Sequence, residues 1–439
     1  MPVPGPVCGG TGPDGQREMT DTNEQLEAQG SEWAWIKRPI ISLSYPQFRQ
    51  FWLSNLVVSI GGMVGFTARG WLMVQLTDSA LLLGVVAGTW AVTFGLGSIP
   101  MGMLADRINR RNLLVVGNGV TLFVTLIVGV LVMTDTVAIW HVLVAGAIDG
   151  VLFAARYPAG QAITARLVPR RHLMNAISLN TASHSLPNVA GPAVGGVLIA
   201  AFGIAAAYFV TSGAFLLALL MILGVAASFG HVERKAVSSL TNDLREAYDY
   251  LLSHRDLLHL TWAMLIPYML GQSYVLLLPL FVEKELGRGP ETFGALSATL
   301  GAGGLIGAIA VAAFGRHRQL ALLMFAGVLG TGICAIAYGL SQWVPVTAAV
   351  LLVVGAAESA LFAAYETLLL LRLPDEMRGR VMGLMFTVAA MFPIGAIVAG
   401  AVADVIGLRT LAVIDGAIIV AMACVVWRTV LRHVTAPAQ

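Results

Sequence analysis

Twelve stretches of about 20 predominantly apolar residues, divided by short polar turns, occupy the chain from about residue 43 to about residue 430. About 20 such residues span the hydrocarbon core of a bilayer in a single helix. No water is available there to satisfy free backbone N–H and C=O groups, so each run is expected to be helical. The approximate runs are 50–76, 80–104, 112–133, 137–162, 174–202 and 205–229, then 257–284, 291–314, 319–341, 345–371, 377–404 and 408–430. The predicted fold is an all-α membrane protein, twelve transmembrane helices forming two pseudo-symmetric six-helix bundles. Only 11% of the residues are charged, against roughly 25% in soluble domains, which excludes a soluble globular protein.

Polar segments set the expected domains. Residues 1–42 read as a disordered cytoplasmic tail, with Asp14, Glu18, Asp21, Glu24, Glu27 and Glu32 against Arg17 and without the basic and apolar regions of a signal peptide. Residues 43–230 form the first bundle, 231–256 an amphipathic cytoplasmic linker, 257–432 the second bundle and 433–439 a cytoplasmic tail. Positive residues are retained in the cytoplasm. With both termini inside, the tally is 21 basic residues on the cytoplasmic side against Lys284, Arg288 and Arg409 outside, which predicts a multi-pass protein of the cytoplasmic (inner) membrane. A net charge of +2 offers no surface for nucleic acid. Cys8, Cys334 and Cys424 have neither disulfide nor metal spacing, and no cofactor or metal is expected.

The halves resemble each other internally. Asp78–Gly84 corresponds in position to Arg288–Gly294, and Gly146-Ala147-Ile148-Asp149-Gly150 with Phe153 lies over Gly355-Ala356-Ala357-Glu358-Ser359 with Phe362. Repeats enclosing a site near the bilayer midplane are a transporter architecture.

Between the second and third runs stands Gly102-Met103-Leu104-Ala105-Asp106-Arg107-Ile108-Asn109-Arg110-Arg111. A glycine here permits close helix approach, and an aspartate is suited to cap a helix N-terminus. This resembles the G-x-L-a-D-r-x-G-R-r signature of the major facilitator superfamily, with Asn109 at the second glycine. The fifth run carries Gly191-Pro192-Ala193-Val194-Gly195-Gly196, similar to the end of the superfamily's antiporter motif, although Pro187 stands where a glycine is expected. The loops around Pro169-Arg170-Arg171 and Pro374-Asp375-Glu376-Met377-Arg378-Gly379-Arg380 resemble the drug- and siderophore-exporter branch, which includes macrolide and tetracycline efflux pumps and enterobactin-exporter-like proteins. The resemblance implies gating roles for Gly102, Asp106, Arg107, Arg110, Arg111, Asp375, Glu376, Arg378 and Arg380. Arg110 and Arg111 are expected to reach Asp375 or Glu376 on the opposite half. Gly191, Pro192, Gly195 and Gly196 are implied as the antiporter-motif helix.

Charges inside the runs are few, and each costs on the order of 3 kcal/mol or more on insertion scales. They are Arg69, Asp149, Arg156, Glu358, Glu366 and Asp415, while Asp404 lies so near a helix end that a solvated role is expected. The resemblance puts the first, fourth, seventh and tenth helices around a central cavity. Glu358, with no cation within one helical turn, is the sharper candidate for proton coupling. Asp149 is next, held ionised by Arg156 or Arg69. Arg69, Arg156, Phe153, Tyr157, Tyr268, Phe362 and Tyr365 are expected to line the substrate cavity. His184 reads as a hydrogen-bonded interior residue.

No H-E-x-x-H pair or phosphate loop is present, so an enzyme is not expected. The sequence is read as a proton antiporter exporting amphiphilic small molecules by alternating access. A proton-coupled nutrient importer, or a non-transporting receptor, is the alternative. The expected partners are the substrate, protons and membrane lipids, and the protein is expected to be a monomer.

Overall fold

The structure is a computed structural model and describes residues 38–105, 107–226, 240–314, 317–374, 377–378, 381, 384 and 392–427. Most of the acidic tail, residues 231–239 of the linker and the C-terminal residues 428–439 lie outside these.

The described residues form α1 (Pro46–Leu76), α2 (Ala80–Ala105), α3 (Arg110–Met133), α4 (Ile139–Leu167), α5 (Leu173–Ser185), α6 (Pro187–Leu223) and α7 (Leu240–Ser253). They continue as α8 (Arg255–Leu276), α9 (Leu278–Lys284), α10 (Pro290–Phe314), α11 (His317–Leu340), α12 (Val344–Arg372), α13 (Phe392–Ile406) and α14 (Leu408–Val426). Helix is present in each of the twelve apolar runs. Among the described residues eight helices are long and apolar enough to cross a membrane, and nine when the bent pair α8 and α9 is one span.

One of the eight, Arg170–Leu223, has 54 residues. At 1.5 Å per residue it would far exceed a hydrocarbon core of about 30 Å. Gly203 resolves this: its φ of +83° turns the chain between the fifth and sixth spans, a conformation available to glycine.

Packing repeats between the halves. α2 lies on α4 as α10 lies on α12, and α3 lies on α6 as α11 lies on α14, while α2 with α13 and α6 with α10 join the halves. Small residues bring these backbones together. A Cβ on Gly294 of α10 would stand 2.5 Å from the Pro192 carbonyl oxygen and 2.6 Å from Gly196 Cα of α6. Gly84 of α2 and Gly400 of α13 are closed in the same way by backbone of Ala396 and Ala80. The end of the bundle bearing Arg49, Arg107, Arg110, Arg111 and Arg170 is called the basic face below.

Candidate functional site

The first half gathers its charges around one carboxylate. Asp149 on α4 accepts from Arg156 Nη2 at 3.0 Å and from the indole N–H of Trp90 on α2 at 3.0 Å, and Arg69 on α1 stands 3.8 Å away. Seven residues apart, Asp149 and Arg156 lie two turns along one helix face, so their pairing follows from register. Arg156 also donates to Thr121 of α3 at 3.3 Å and lies over the Phe215 ring of α6, with Gly117 leaving space for its stem. A cavity of about 30 Å³ borders Arg69, Asp149, Thr121, Thr125 and Tyr208. Two guanidinium groups around one carboxylate leave this cluster net positive.

Glu358, at the repeat-related position of α12, has different surroundings. Its Oε2 accepts from the amide of Gln272 on α8 at 3.1 Å, and its Oε1 is buried with no hydrogen-bond partner. Among the described residues no cation pairs with it.

Aromatic side chains continue from both acids. Phe153 and Tyr157 of α4 form a run with Trp90 and Phe94 of α2, with ring centroids 5.5–5.9 Å apart, ending at His184 of α5. Tyr268 and Phe362 lie 6.3 Å apart beyond Glu358. Tyr157 and Phe362 are exposed. Two residues expected on the cavity wall are elsewhere. Arg156, 9% exposed, points into the first half between α3 and α6, where Thr121 and Asp149 satisfy it. Tyr365, 4% exposed, packs in the second half's core with its hydroxyl 3.4 Å from Thr261. Three residues beyond Phe362 the helix has rotated by about 300°, which turns Tyr365 toward α8.

At the basic face Gly102 lies in the last turns of α2 and Arg107 is exposed. Asp106, Asp375, Glu376 and Arg380 lie outside the described residues. Asn109 is the N-cap of α3, its side chain accepting from Arg111 N at 3.0 Å, which accounts for a polar residue where the superfamily has glycine. Among the described residues the contacts of Arg111 stay within its own half, and Asp375 and Glu376, its expected partners, lie outside them. Arg111 binds the terminal carbonyls of Ile222 and Leu223 on α6, at 3.2 and 2.6 Å, where a cation meets the negative end of the helix dipole. Arg378 likewise donates to the Leu370 carbonyl at the end of α12 in its own half. In the glycine motif, Gly191 and Gly195 pack against Met63 and Thr67 of α1, and Gly196 against Gly294 and Pro290 of α10.

The face opposite carries contacts that the sequence reading missed. Asp404, expected to be solvated, caps the start of α2 from the other half, accepting from Ser79 Oγ at 2.6 Å, Ala80 N at 2.6 Å and Leu81 N at 3.1 Å. Lys284 donates to the Asp78 carbonyl at 2.7 Å, again between halves. A signal was present: Gly400-Ala401-Val402-Ala403-Asp404 repeats the G-x-x-A-D spacing of Gly102-Met103-Leu104-Ala105-Asp106. Asp415, one of the charges inside the runs, had no role implied for it. It is 5% exposed and accepts from Ser273 Oγ of α8 at 2.7 Å.

Two repeated helical halves joined along α2/α13 and α6/α10, with acids at related depths, define a multi-pass membrane transporter of the major facilitator superfamily. Residues 38–439 match the family described as transmembrane secretion effector, and the chain belongs to it. It is 27% identical to the multidrug efflux pump Tap of Mycolicibacterium fortuitum, over 81% of this chain and 88% of that one. It is 23% identical to the staphyloferrin A transporter of Staphylococcus aureus, covering 82% and 90%, and 21% identical to macrolide efflux protein A of Streptococcus pyogenes, covering 86% and 95%. A bacterial homolog of the human lysosomal transporter Spinster shares the fold, with a TM-score of 0.72 at 16% identity over 90% of this chain and 99% of that one.

Proposed function

We propose that the protein is a proton-driven exporter of amphiphilic small molecules in the cytoplasmic membrane, a monomer with both termini and the basic face cytoplasmic. The observation that carries this reading is the contrast between two related acids. Asp149 is matched by two guanidinium groups, whereas Glu358 has one neutral donor and a buried oxygen without a partner. An ionised Glu358 therefore needs either a proton or a cationic substrate group. Competition between those two for one carboxylate couples proton entry to substrate exit. The aromatic walls bearing Phe153, Tyr157, Tyr268 and Phe362 suit a broad apolar ligand.

The relatives' printed names, a multidrug efflux pump and a macrolide efflux protein, support export of such molecules. On this reading the contacts of Asp404 and Lys284 close the outer face, and exchange of that closure for one at the basic face is the transport cycle.

The test is flux in proteoliposomes under an imposed pH gradient, with ethidium, tetracycline and erythromycin as probes. Uphill efflux of at least one by the wild type, lost in Glu358→Gln with binding retained, is expected. Gradient-independent flux, or undiminished uphill transport by Glu358→Gln, overturns the coupling role. Accumulation in the opposite direction identifies an importer.

A further inference from the structure

Among the described residues four buried side-chain oxygens have no hydrogen-bond partner: the hydroxyls of Tyr274, Thr331 and Tyr338, and Oε1 of Glu358. All four lie in the second half, on α8, α11 and α12. Buried polar atoms are normally satisfied, so their concentration in one seam needs an explanation.

The seam is continuous. The Tyr338 ring stacks on Phe281 with centroids 4.2 Å apart, and Arg409 of the Arg409–Glu285 ion pair lies over the same Phe281 ring and donates to the Gly339 carbonyl at 3.3 Å; that pair is partly exposed at the face opposite the basic one. The Tyr338 ring is 5.3 Å from that of Tyr274. Tyr274 follows Ser273, which holds Asp415, and lies one turn of α8 from Gly271, which borders Glu358. Thr331, Cys334 and Tyr338 form one stripe of α11, about 10 Å long. At the deep end Gly271 leaves Glu358 uncovered: a Cβ there would lie 2.8 Å from Oε1 and 3.2 Å from Thr331 Cγ2. Midway, Asp415 of α14 is held by Ser273, and among the described residues no cation pairs with it.

We propose that this seam is a proton route from the outer face to Glu358, separate from the substrate cavity, with Asp415 as its intermediate acceptor. It rests on the proposed orientation and on Glu358 as the coupling acid. A hydroxyl accepts a proton on a lone pair while giving its own to the next group, so Tyr338 and Tyr274 pass protons, with bridging water, and keep no charge. Asp415 takes the proton as a neutral acid and releases it toward Glu358. Glu358 then releases it toward the basic face, and the route is reset without redox change. On α8 the titratable residue beside Asp415 is Tyr274, which follows Ser273, and on α11, which packs against α14, Cys334 and Tyr338 are the titratable residues of the seam. The one titratable residue of α13, Asp404, is engaged at the start of α2. Such a route admits protons while the substrate path stays closed outside.

Two measurements on the full chain in lipid test this. The first follows the carboxyl band removed by Glu358→Gln in infrared difference spectra. After transfer to deuterated buffer its exchange should slow at least tenfold in Asp415→Asn and several-fold in Tyr274→Phe, and should recover in Asp415→Glu. The second compares uphill probe efflux with equilibrium counterflow, in which no net proton moves. Asp415→Asn should lose the former about tenfold and keep the latter. Unchanged exchange and efflux in Asp415→Asn, with efflux lost in Glu358→Gln, overturns the route and leaves the coupling role of Glu358 standing. Undiminished efflux in both variants removes the coupling role itself. Loss of counterflow in Asp415→Asn makes Asp415 a structural residue and also overturns the route.

Discussion

Asp404, at the end of α13, accepts the backbone N–H of Ala80, at the start of α2, over 2.6 Å between the two halves of the molecule. The same carboxylate takes Leu81 N and Ser79 Oγ, so one side chain satisfies two of the free donors of a helix start while opposing its dipole. Gly84 and Gly400 allow the approach.

Removing that cap should open the face. Asp404→Ala is expected to cost the closed state ~1–2 kcal/mol, a roughly 5- to 30-fold shift in population. Spin labels at Asp135 and Trp343, both exposed at that face, should report a longer distance in the variant, with expression unchanged. An unaltered distance distribution would mean that Lys284 and the glycine seams hold the face closed without Asp404.

The charge cluster of the first half should behave as a unit. Asp149→Asn leaves Arg69 and Arg156 poorly matched in an apolar bundle, a loss on the order of 3–5 kcal/mol for a buried pair. Its melting temperature in detergent should fall sharply. Arg156→Gln added to Asp149→Asn should recover part of the loss, because the uncompensated guanidinium deepest in the bundle is gone. Strictly additive losses would show that the two residues do not stabilise each other.

The glycine seam between α6 and α10 should tolerate no side chain. Gly294→Ala places a methyl within 2.6 Å of backbone atoms on the facing helix, an overpacking expected to cost ~1–3 kcal/mol or to force the halves apart. Gly213→Ala, whose Cβ would meet nothing within 4 Å, serves as the control and should melt like the wild type. Equal stability of the two variants would show that the seam is not closed as described.

The sequence reached the helices, the repeat and the two central acids because each leaves a local mark. A bilayer-length apolar run is visible in any window, and a carboxylate within one is conspicuous by its cost. What it did not reach depends on which helices are neighbours. Trp90 is the donor to Asp149 only because α2 lies on α4. Ser273 meets Asp415 only because α8 packs on α14. Arg111 meets the carbonyl oxygens at the end of α6 only because α3 packs on α6. Asp404 was discounted from its depth alone, which says nothing about a helix start brought beside it.

The two G-x-x-A-D segments make a final prediction with a sign. Both place an aspartate just past a small-residue turn, Asp106 after α2 and Asp404 within the last turn of α13, and α2 and α13 pack against each other. The helices run antiparallel, so the two carboxylates are assigned to opposite faces. Asp404 caps the start of α2, and Asp106 is proposed to cap the start of the eleventh span near Met377 when the basic face closes. Asp106→Asn should then stabilise the state open at the basic face, opposite in sign to Asp404→Ala, and slow turnover. In the double variant the shifts should largely cancel in population while transport stays slow, since each closed state has lost its cap. Labels at Arg171 and Leu371 on the basic face, read beside Asp135 and Trp343, measure both ends at once. If Asp106→Asn moves the equilibrium in the same direction as Asp404→Ala, or leaves it unmoved, the reciprocal gate is wrong.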